Sequence, residues 1–285
     1  MPEEPRAIAL PIRGGRMEAL RLPGGPGHPL LVLGGVEAGL RPLAGTEQVL
    51  RRRWEGRTRA RPVVVLGRPL PDDAADADRL MHPRLIADAA VAALARLATD
   101  GGPAPPFAVE AESGGGRIAL WLTVDHPELV SGLVLASVAS ETPAGSPMAA
   151  RMTRWIQMAE ADDWGMFFSH MAVVMKARSG PEAASFEAAA RLQPRPATPA
   201  RFIAELRATL DPTSFVTDRL GEIAVPALVL AGEKDQVVPL AATRLVAERI
   251  PGARLVTDPE CGHTVRASLA GYDDVVEAFL ADTDA

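Results

Sequence analysis

The sequence has one cysteine and no long apolar run, and these shortages exclude several classes of protein. The lone cysteine, Cys261, cannot form a disulfide within the chain, so the fold does not depend on an oxidising compartment. No apolar stretch approaches the roughly 18 residues of a membrane-spanning helix. The first residues, Met1-Pro-Glu-Glu-Pro, lack the positive flank and apolar core of a signal peptide. We therefore expect a soluble, cytoplasmic protein with no membrane partner.

Basic residues are outnumbered by acidic ones, 30 to 36, which gives a net charge of −6. Proteins that bind nucleic acid normally present a basic face, so a nucleic-acid partner is not expected. The short cluster Arg51-Arg-Arg53 is typical of a solvated helix surface. The sequence contains no ligand cluster at metal spacing, and no Gly-x-Gly-x-x-Gly follows the first buried strand. Neither a metal nor an organic cofactor is predicted.

What the chain does contain is an alternation of strand and helix patterns. Its 285 residues, 47% of them hydrophobic, suffice for one sizeable core. Residues 7–12 and 17–22 read as an antiparallel hairpin, and the continuous apolar run 29–33 as a strand buried on both faces. Residues 61–66 read as a second buried strand. Helices are predicted between later strands, the last over 265–280. The pattern predicts an α/β fold, a mostly parallel, doubly wound sheet covered on both faces.

Between residues 140 and 222 the strand rhythm stops and helical patterns replace it. We predict a helical cap at 140–222, inserted after the sixth sheet strand, with 1–139 and 223–285 forming the core domain. The first part of the cap is rich in methionine and aromatic residues, which either pack as its own interior or roof an apolar substrate pocket. The pocket candidates are Trp155, Trp164, Phe167, Met171 and Met175.

The stretch around Ser113 reads as a strand that turns sharply into a helix. An apolar run ends at Ala111, and Ser113 is followed by glycines at 114–116 and then by helical spacing. Such a turn projects a hydroxyl beside unpaired backbone N–H groups, which suits a nucleophile. Small residues two positions either side, here Ala111 and Gly115, let the helix pass close to the strand. The alternative is a serine without a catalytic role in a glycine-rich turn.

This stretch resembles the nucleophile elbow, Gly-x-Ser-x-Gly, of the α/β-hydrolase family, with Ala111 in place of the first glycine. The resemblance implies that Ser113 is the nucleophile of a catalytic triad. The acid would be Asp235, in Gly-x-x-Asp after a buried strand, with Glu233 as the weaker alternative. The base would be His263, in the loop after the last strand, which completes the family's chain order of serine, acid and histidine.

The resemblance also implies an oxyanion hole and a reaction. The family's second donor lies in a His-Gly-x loop, here Gly34-Gly35-Val36, so the donors would be the backbone N–H groups of Val36 and Gly114. The implied activity is that of a serine hydrolase that cleaves a carboxylic ester, or a related acyl compound, of a small, apolar substrate. Acyl transfer, carbon–carbon bond hydrolysis and perhydrolysis could use the same triad. A non-enzymatic protein that binds a small ligand is a further alternative.

Overall fold

A β-sheet forms the centre of the molecule. The computed structural model describes residues 6–40, 42–176, 188 and 190–284. Within these residues the strands form one eight-stranded sheet in the order β1-β2-β4-β3-β5-β6-β7-β8. Strands β3 to β8 are mutually parallel, whereas β2 is antiparallel to both β1 and β4. The strands are β1 Arg6–Ile12, β2 Gly15–Leu22, β3 Leu30–Leu33, β4 Val63–Pro71, β5 Phe107–Glu112, β6 Val130–Ala136, β7 Ala227–Gly232 and β8 Arg254–Asp258.

Helices connect the strands and cover the sheet. They are α1 Glu47–Thr58, α2 Ala77–Leu80, α3 Pro83–Thr99, α4 Gly114–Asp125, α5 Pro147–Glu160, α6 Trp164–Lys176, α7 Pro199–Leu210, α8 Leu240–Arg249, α9 Val265–Ser268 and α10 Tyr272–Thr283. In the part of the chain that the structure describes, no helix combines the length and apolarity needed to cross a membrane.

The central strands are apolar along their whole length because both of their faces are covered. Leu31 and Leu33 of β3 pack with α3 and α4 in one core, whereas Leu30 and Val32 pack with α1 and α10 in the other. Successive side chains of a strand point to opposite faces, so a strand buried on both sides needs apolar residues at every position. The predicted fold class, a mostly parallel doubly wound sheet, is confirmed.

Two local predictions are wrong. Strand β4 continues past residue 66 to Pro71, because its second half pairs with the N-terminal hairpin, Gly15 opposite Pro71. The predicted helix 265–280 is two helices, α9 and α10, which are separated at Gly271. Gly271 has φ +72°, a left-handed conformation that interrupts a right-handed helix and favours glycine.

Helices α5, α6 and α7 all lie between β6 and β7, in the segment predicted as a cap. The buried guanidinium of Arg117 in α4 joins this segment to the sheet helices. It donates to Thr142 Oγ1 at 2.9 Å, to Ser214 Oγ at 3.0 Å and to the Thr209 carbonyl at 2.9 Å. Burial lowers the pKa of Arg117 to about 10. The segment is therefore hydrogen-bonded to α4, the helix that follows Ser113, and its standing as a separate cap stays a prediction.

Candidate active site

Ser113 occupies the junction between β5 and α4 in a backbone conformation that a non-glycine residue rarely adopts. Its φ is 50° and its ψ is −122°, which costs about 1–3 kcal/mol for a residue with a side chain. The Ser113 amide donates to the Ala136 carbonyl at 3.0 Å, so the neighbouring strand β6 holds the turn. Strain that the surrounding structure maintains in this way is concentrated at functional sites.

The residues beside Ser113 are small because the backbone of β3 passes close to α4. A Cβ built on Gly115 would lie 2.2 Å from the Leu33 carbonyl oxygen and 2.3 Å from that of Gly34, so no side chain fits there. Ala111 is fully buried between Leu33 and Leu135 in the sheet. The structure thus accommodates a methyl group where the family pattern has its first glycine.

The structure brings Ser113, His263 and Asp235 together from three separate loops. The Ser113 Oγ lies 2.9 Å from His263 Nε2, and His263 Nδ1 lies 2.8 Å from Asp235 Oδ2. An ionised carboxylate only accepts hydrogen bonds and therefore favours the tautomer with the proton on Nδ1, in which Nε2 can accept from the Ser113 hydroxyl. This arrangement lets the imidazole remove the serine proton.

Backbone groups hold the Asp235 carboxylate in place. Its Oδ1 accepts from the amides of Val237 at 2.8 Å and Val238 at 2.9 Å, which leaves Oδ2 directed at His263. Glu233, the alternative acid, is exposed and accepts from Thr257 Oγ1 at 3.0 Å. Of the two acids, therefore, Asp235 is the one that contacts His263.

Two further contacts fix the loop that carries His263, and neither was predicted from the sequence. The Ser137 hydroxyl donates to the His263 carbonyl at 3.1 Å, and the His263 amide donates to the Met175 carbonyl at 3.1 Å. Ser137 follows β6 and has φ 53°. The second contact joins helix α6 directly to the loop of the predicted base.

The predicted oxyanion donors lie next to each other beside Ser113. Gly114 is the first residue of α4, so its amide is one of the N–H groups at the positive end of that helix. Val36 begins a 3₁₀ turn, Val36–Gly39, after β3. A Cβ built on Gly114 would lie 2.7 Å from Val36 Cγ1 and 3.4 Å from the Val36 amide nitrogen. Glycine at position 114 therefore permits the close approach of the Val36 amide.

Ser113 lines two cavities. One has a volume of about 50 Å³ and a mostly apolar lining that includes Ile86, Ile118, Met148, Met152, Trp155 and Val237. The other is a cleft of about 520 Å³ whose lining includes Arg53, Glu112, Met171, Met175, His263 and Arg266. The site thus offers a small apolar cavity and a larger, more polar cleft.

The predicted pocket residues divide among three places. Trp155 lines the small cavity, and Met171 and Met175 line the cleft. Trp164 and Phe167 line neither, because they pack against each other at 5.5 Å between ring centroids, in the interior of the helical segment. Met148 and Met152 line the small cavity although the prediction did not select them. Among the described residues, no group of three or more His, Cys, Asp or Glu side chains could hold a metal ion.

Comparison with known proteins identifies a family. The family model Hydrolase_4, described as serine aminopeptidase, S33, matches residues 74–267, which is well over half of the chain. An esterase from Exiguobacterium antarcticum has a similar structure, with a TM-score of 0.74 and 18% sequence identity over 98% of this chain and 100% of that one. At that identity the likeness concerns the fold alone.

Two curated relatives match part of the chain, each at 28% identity. One is the pimeloyl-[acyl-carrier protein] methyl ester esterase of Nitrosomonas europaea, matched over 162 residues, 52% of this chain and 61% of the relative. The other is the 2-hydroxymuconate semialdehyde hydrolase of Pseudomonas putida, matched over 184 residues, 60% of this chain and 61% of the relative. The chain therefore spans 61% of the length of each of these relatives.

Proposed function

The chain belongs to the Hydrolase_4 family of α/β hydrolases, and from that membership we propose that it is a serine hydrolase that cleaves a carboxylic ester, or a related acyl compound, of a small, apolar substrate. The observation that carries the proposal is the hydrogen-bonded series from Ser113 through His263 to Asp235, at 2.9 Å and 2.8 Å. A buried imidazole between a strained serine and a buried carboxylate is the arrangement that activates a hydroxyl for attack on a carbonyl.

In the proposed acylation step, His263 Nε2 takes the proton of Ser113 as Oγ attacks the substrate carbonyl carbon. The carbonyl oxygen becomes an oxyanion that the N–H groups of Gly114 and Val36 stabilise. Asp235 holds the imidazole in the required tautomer and stabilises the imidazolium. His263 then gives its proton to the leaving alcohol, and an ester between Ser113 and the acyl group remains.

The proposed deacylation step repeats this chemistry with water. His263 removes a proton from a water molecule, whose oxygen attacks the acyl carbon. The second tetrahedral intermediate is stabilised by the same two N–H groups. Its collapse returns the proton to Ser113 and releases the carboxylic acid. The cycle needs no metal and no organic cofactor.

The two cavities at Ser113 suggest where each half of the substrate binds. We assign the acyl group to the small cavity, because its lining beside Ser113 is mostly apolar and includes Met152 and Trp155. The alcohol would leave through the cleft, which has ten times the volume and is lined by charged residues such as Arg53 and Glu112. In this proposal segment 140–222 is the cap, which supplies the apolar wall of the acyl site.

Carbon–carbon bond hydrolysis is the second candidate, favoured by the similarity to 2-hydroxymuconate semialdehyde hydrolase. Peptide hydrolysis would follow the family's description as serine aminopeptidase. Either reaction could use Ser113 as nucleophile and His263 as base, which lie 2.9 Å apart here. A substrate panel of p-nitrophenyl esters, aminoacyl p-nitroanilides and a ring-cleaved semialdehyde separates these possibilities.

The test of the proposal is reaction with a fluorophosphonate probe, followed by turnover of p-nitrophenyl butyrate. We expect fast labelling and hydrolysis by the wild type and neither by Ser113→Ala. The matched control is Ser131→Ala. Ser131 has a buried Oγ and lies near the first residue of β6, at the end of the strand that is remote from the site. A wild-type protein that neither labels nor turns over any member of the panel would refute the enzymatic proposal and favour a ligand-binding role.

A further inference from the structure

A buried ion pair joins strand β4 to helix α7 next to the site. Arg68 Nε donates to Glu205 Oε1 at 2.7 Å, and the two side chains are 0% and 5% exposed. Removing two charges from water is costly and can cancel their mutual attraction, so a buried pair is weak evidence for a stabilising role. We therefore look for the role of this ion pair in the other groups that Arg68 and Glu205 contact.

The other end of the Arg68 guanidinium holds the loop Gly34-Gly35-Val36, which carries the proposed oxyanion donor Val36. Arg68 Nη2 donates to the Gly34 carbonyl at 2.9 Å and to the Gly35 carbonyl at 3.1 Å. The Gly35 carbonyl also accepts from the Ala38 amide at 2.9 Å, within the 3₁₀ turn that follows. Both carbonyls that precede the Val36 nitrogen are thus fixed by one buried cation.

The Gly35 carbonyl and the Val36 amide belong to the same peptide unit. A trans peptide is planar and directs its C=O and N–H groups in opposite directions. In the described residues the one cis peptide bond is Pro105-Pro106, so this unit is trans. A donor that fixes the direction of the Gly35 carbonyl therefore also fixes the direction of the Val36 N–H.

The positive charge of Arg68 adds an electronic effect. A charged donor on a carbonyl polarises the peptide group, and hydrogen bonds in series strengthen one another at low local dielectric. The N–H on the far side of the Gly35–Val36 peptide consequently becomes a stronger donor. This helps an oxyanion more than a neutral carbonyl, because the oxyanion carries the larger negative charge.

Glu205 lies close enough to the site to matter by itself. Its Oε1 would be 3.8 Å from a Cβ built on Gly114, and Glu205 lines the same small cavity as Ser113. A carboxylate there would repel a developing oxyanion unless its charge were compensated, and Arg68 supplies that compensation. Helix α7 makes a second contact with β4 at the next residue, because Arg201 Nη1 donates to the Pro69 carbonyl at 3.3 Å.

We propose that Arg68 is a positioning residue of the oxyanion hole, which aims and polarises the Val36 N–H, and that Glu205 couples this function to the seating of helix α7 on β4. The inference rests on the proposed function, because it assigns a role within the same site. It makes the helical segment between β6 and β7 part of the catalytic architecture as well as a wall of the acyl site.

The experiment measures kcat per active site in Arg68→Met, Arg68→Lys and Glu205→Gln, with sites counted by fluorophosphonate labelling run to completion. In Arg68→Met we expect kcat per labelled site to fall about 10- to 100-fold, less than the 10²–10³ typical of losing a donor outright. KM should change less than about threefold. Lysine keeps the charge but cannot form the same fork, so Arg68→Lys should recover part of the loss. Glu205→Gln retains an acceptor for Arg68 and should lose least.

A boronic acid inhibitor provides a readout that folding stability does not affect. Its tetrahedral adduct with Ser113 places an oxygen in the oxyanion hole, so its affinity should fall in Arg68→Met in parallel with kcat/KM. The matched control is Arg61→Met. Arg61 is also a buried arginine, but it lies just before the start of β4 and pairs with Asp284 at 3.0 Å, away from the site. That variant should lower the melting temperature and leave kcat per labelled site unchanged.

The outcomes distinguish a failure of the role given to Arg68 from a failure of the proposed function. If the wild type reacts with the probe and hydrolyses ester, but Arg68→Met keeps its kcat per labelled site and its boronate affinity, the role given to Arg68 is overturned and the proposed function stands. If the wild type shows neither labelling nor turnover, the proposed function fails and the role of Arg68 in an oxyanion hole fails with it.

Discussion

Replacement of Ser113 by glycine should remove the activity and give a protein that is more stable than the corresponding alanine variant. Ser113 has φ 50° and ψ −122°. Glycine adopts this conformation without steric cost, whereas the Cβ of serine or alanine makes it unfavourable. Ser113→Ala is the matched comparison, since it removes the same hydroxyl and the same hydrogen bond to His263. The difference between the two variants therefore reports on the backbone alone.

The magnitude follows from two opposing terms. Relief of the strained conformation favours glycine by about 1–3 kcal/mol. The greater freedom of glycine in the unfolded chain opposes this by about 0.4–1 kcal/mol. Ser113→Gly should therefore have a free energy of unfolding about 1 kcal/mol above that of Ser113→Ala, which for a chain of this size corresponds to a melting temperature higher by about 2 °C.

Urea unfolding of the two variants, followed by tryptophan fluorescence, measures this difference, and p-nitrophenyl butyrate hydrolysis measures the loss of activity. Both variants should lose on the order of 10⁴ to 10⁶ in rate. If Ser113→Gly were no more stable than Ser113→Ala, the backbone at this turn would not be strained. Residual activity above about a tenth of wild type in either variant would place the nucleophile elsewhere.

Three further predictions concern the acid, the acyl site and acid stability. Asp235→Asn should reduce kcat on the order of 10⁴-fold, whereas Glu233→Gln should change it only a few-fold, and equal losses in steady-state kinetics would reassign the acid. Across p-nitrophenyl esters, kcat/KM should rise a few-fold per added methylene, at about 0.8 kcal/mol each, and then level off. Met152→Ala should move that plateau to longer chains and Met175→Ala, in the cleft, should not; a flat wild-type profile would exclude an apolar acyl site. Burial lowers the pKa of His170, whose ring also accepts an indole N–H, so its neutral form stabilises the fold above about pH 6.5 and that contribution is lost as pH falls further. His170→Gln should therefore flatten the fall in melting temperature between about pH 7.5 and pH 5.5, and an unchanged slope would contradict this.

The sequence alone determined the sheet and the place of the candidate nucleophile, because both depend on local pattern. A strand buried on two faces must be apolar at consecutive positions, which is visible in β3 without any partner. The turn at Ser113 needs small residues where another backbone passes, so Gly115 is also a local signal. Even β4, whose apolar start was predicted, could not be given its full length, since its pairing partner β2 lies far away in the chain.

The tertiary structure alone decided which side chains meet. Asp235 and Glu233 stand two residues apart and are chemically alike, and only the folded loop directs one of them at His263 and the other at Thr257. Helical spacing likewise placed Trp155 and Phe167 in the same apolar class, although one lines the cavity at Ser113 and the other is enclosed among aromatic rings.

Arg68 illustrates why contacts between residues far apart in the chain cannot be predicted from a local sequence pattern. A charged residue within an apolar strand signals a buried charge, and a buried charge requires a partner. The sequence does not say where that partner is. Glu205 is 137 residues away, and the carbonyls that Arg68 holds lie on yet another loop. These contacts depend on how β3, β4 and α7 pack together. They are determined by the free energy of the whole fold and therefore produce no periodic pattern in the sequence.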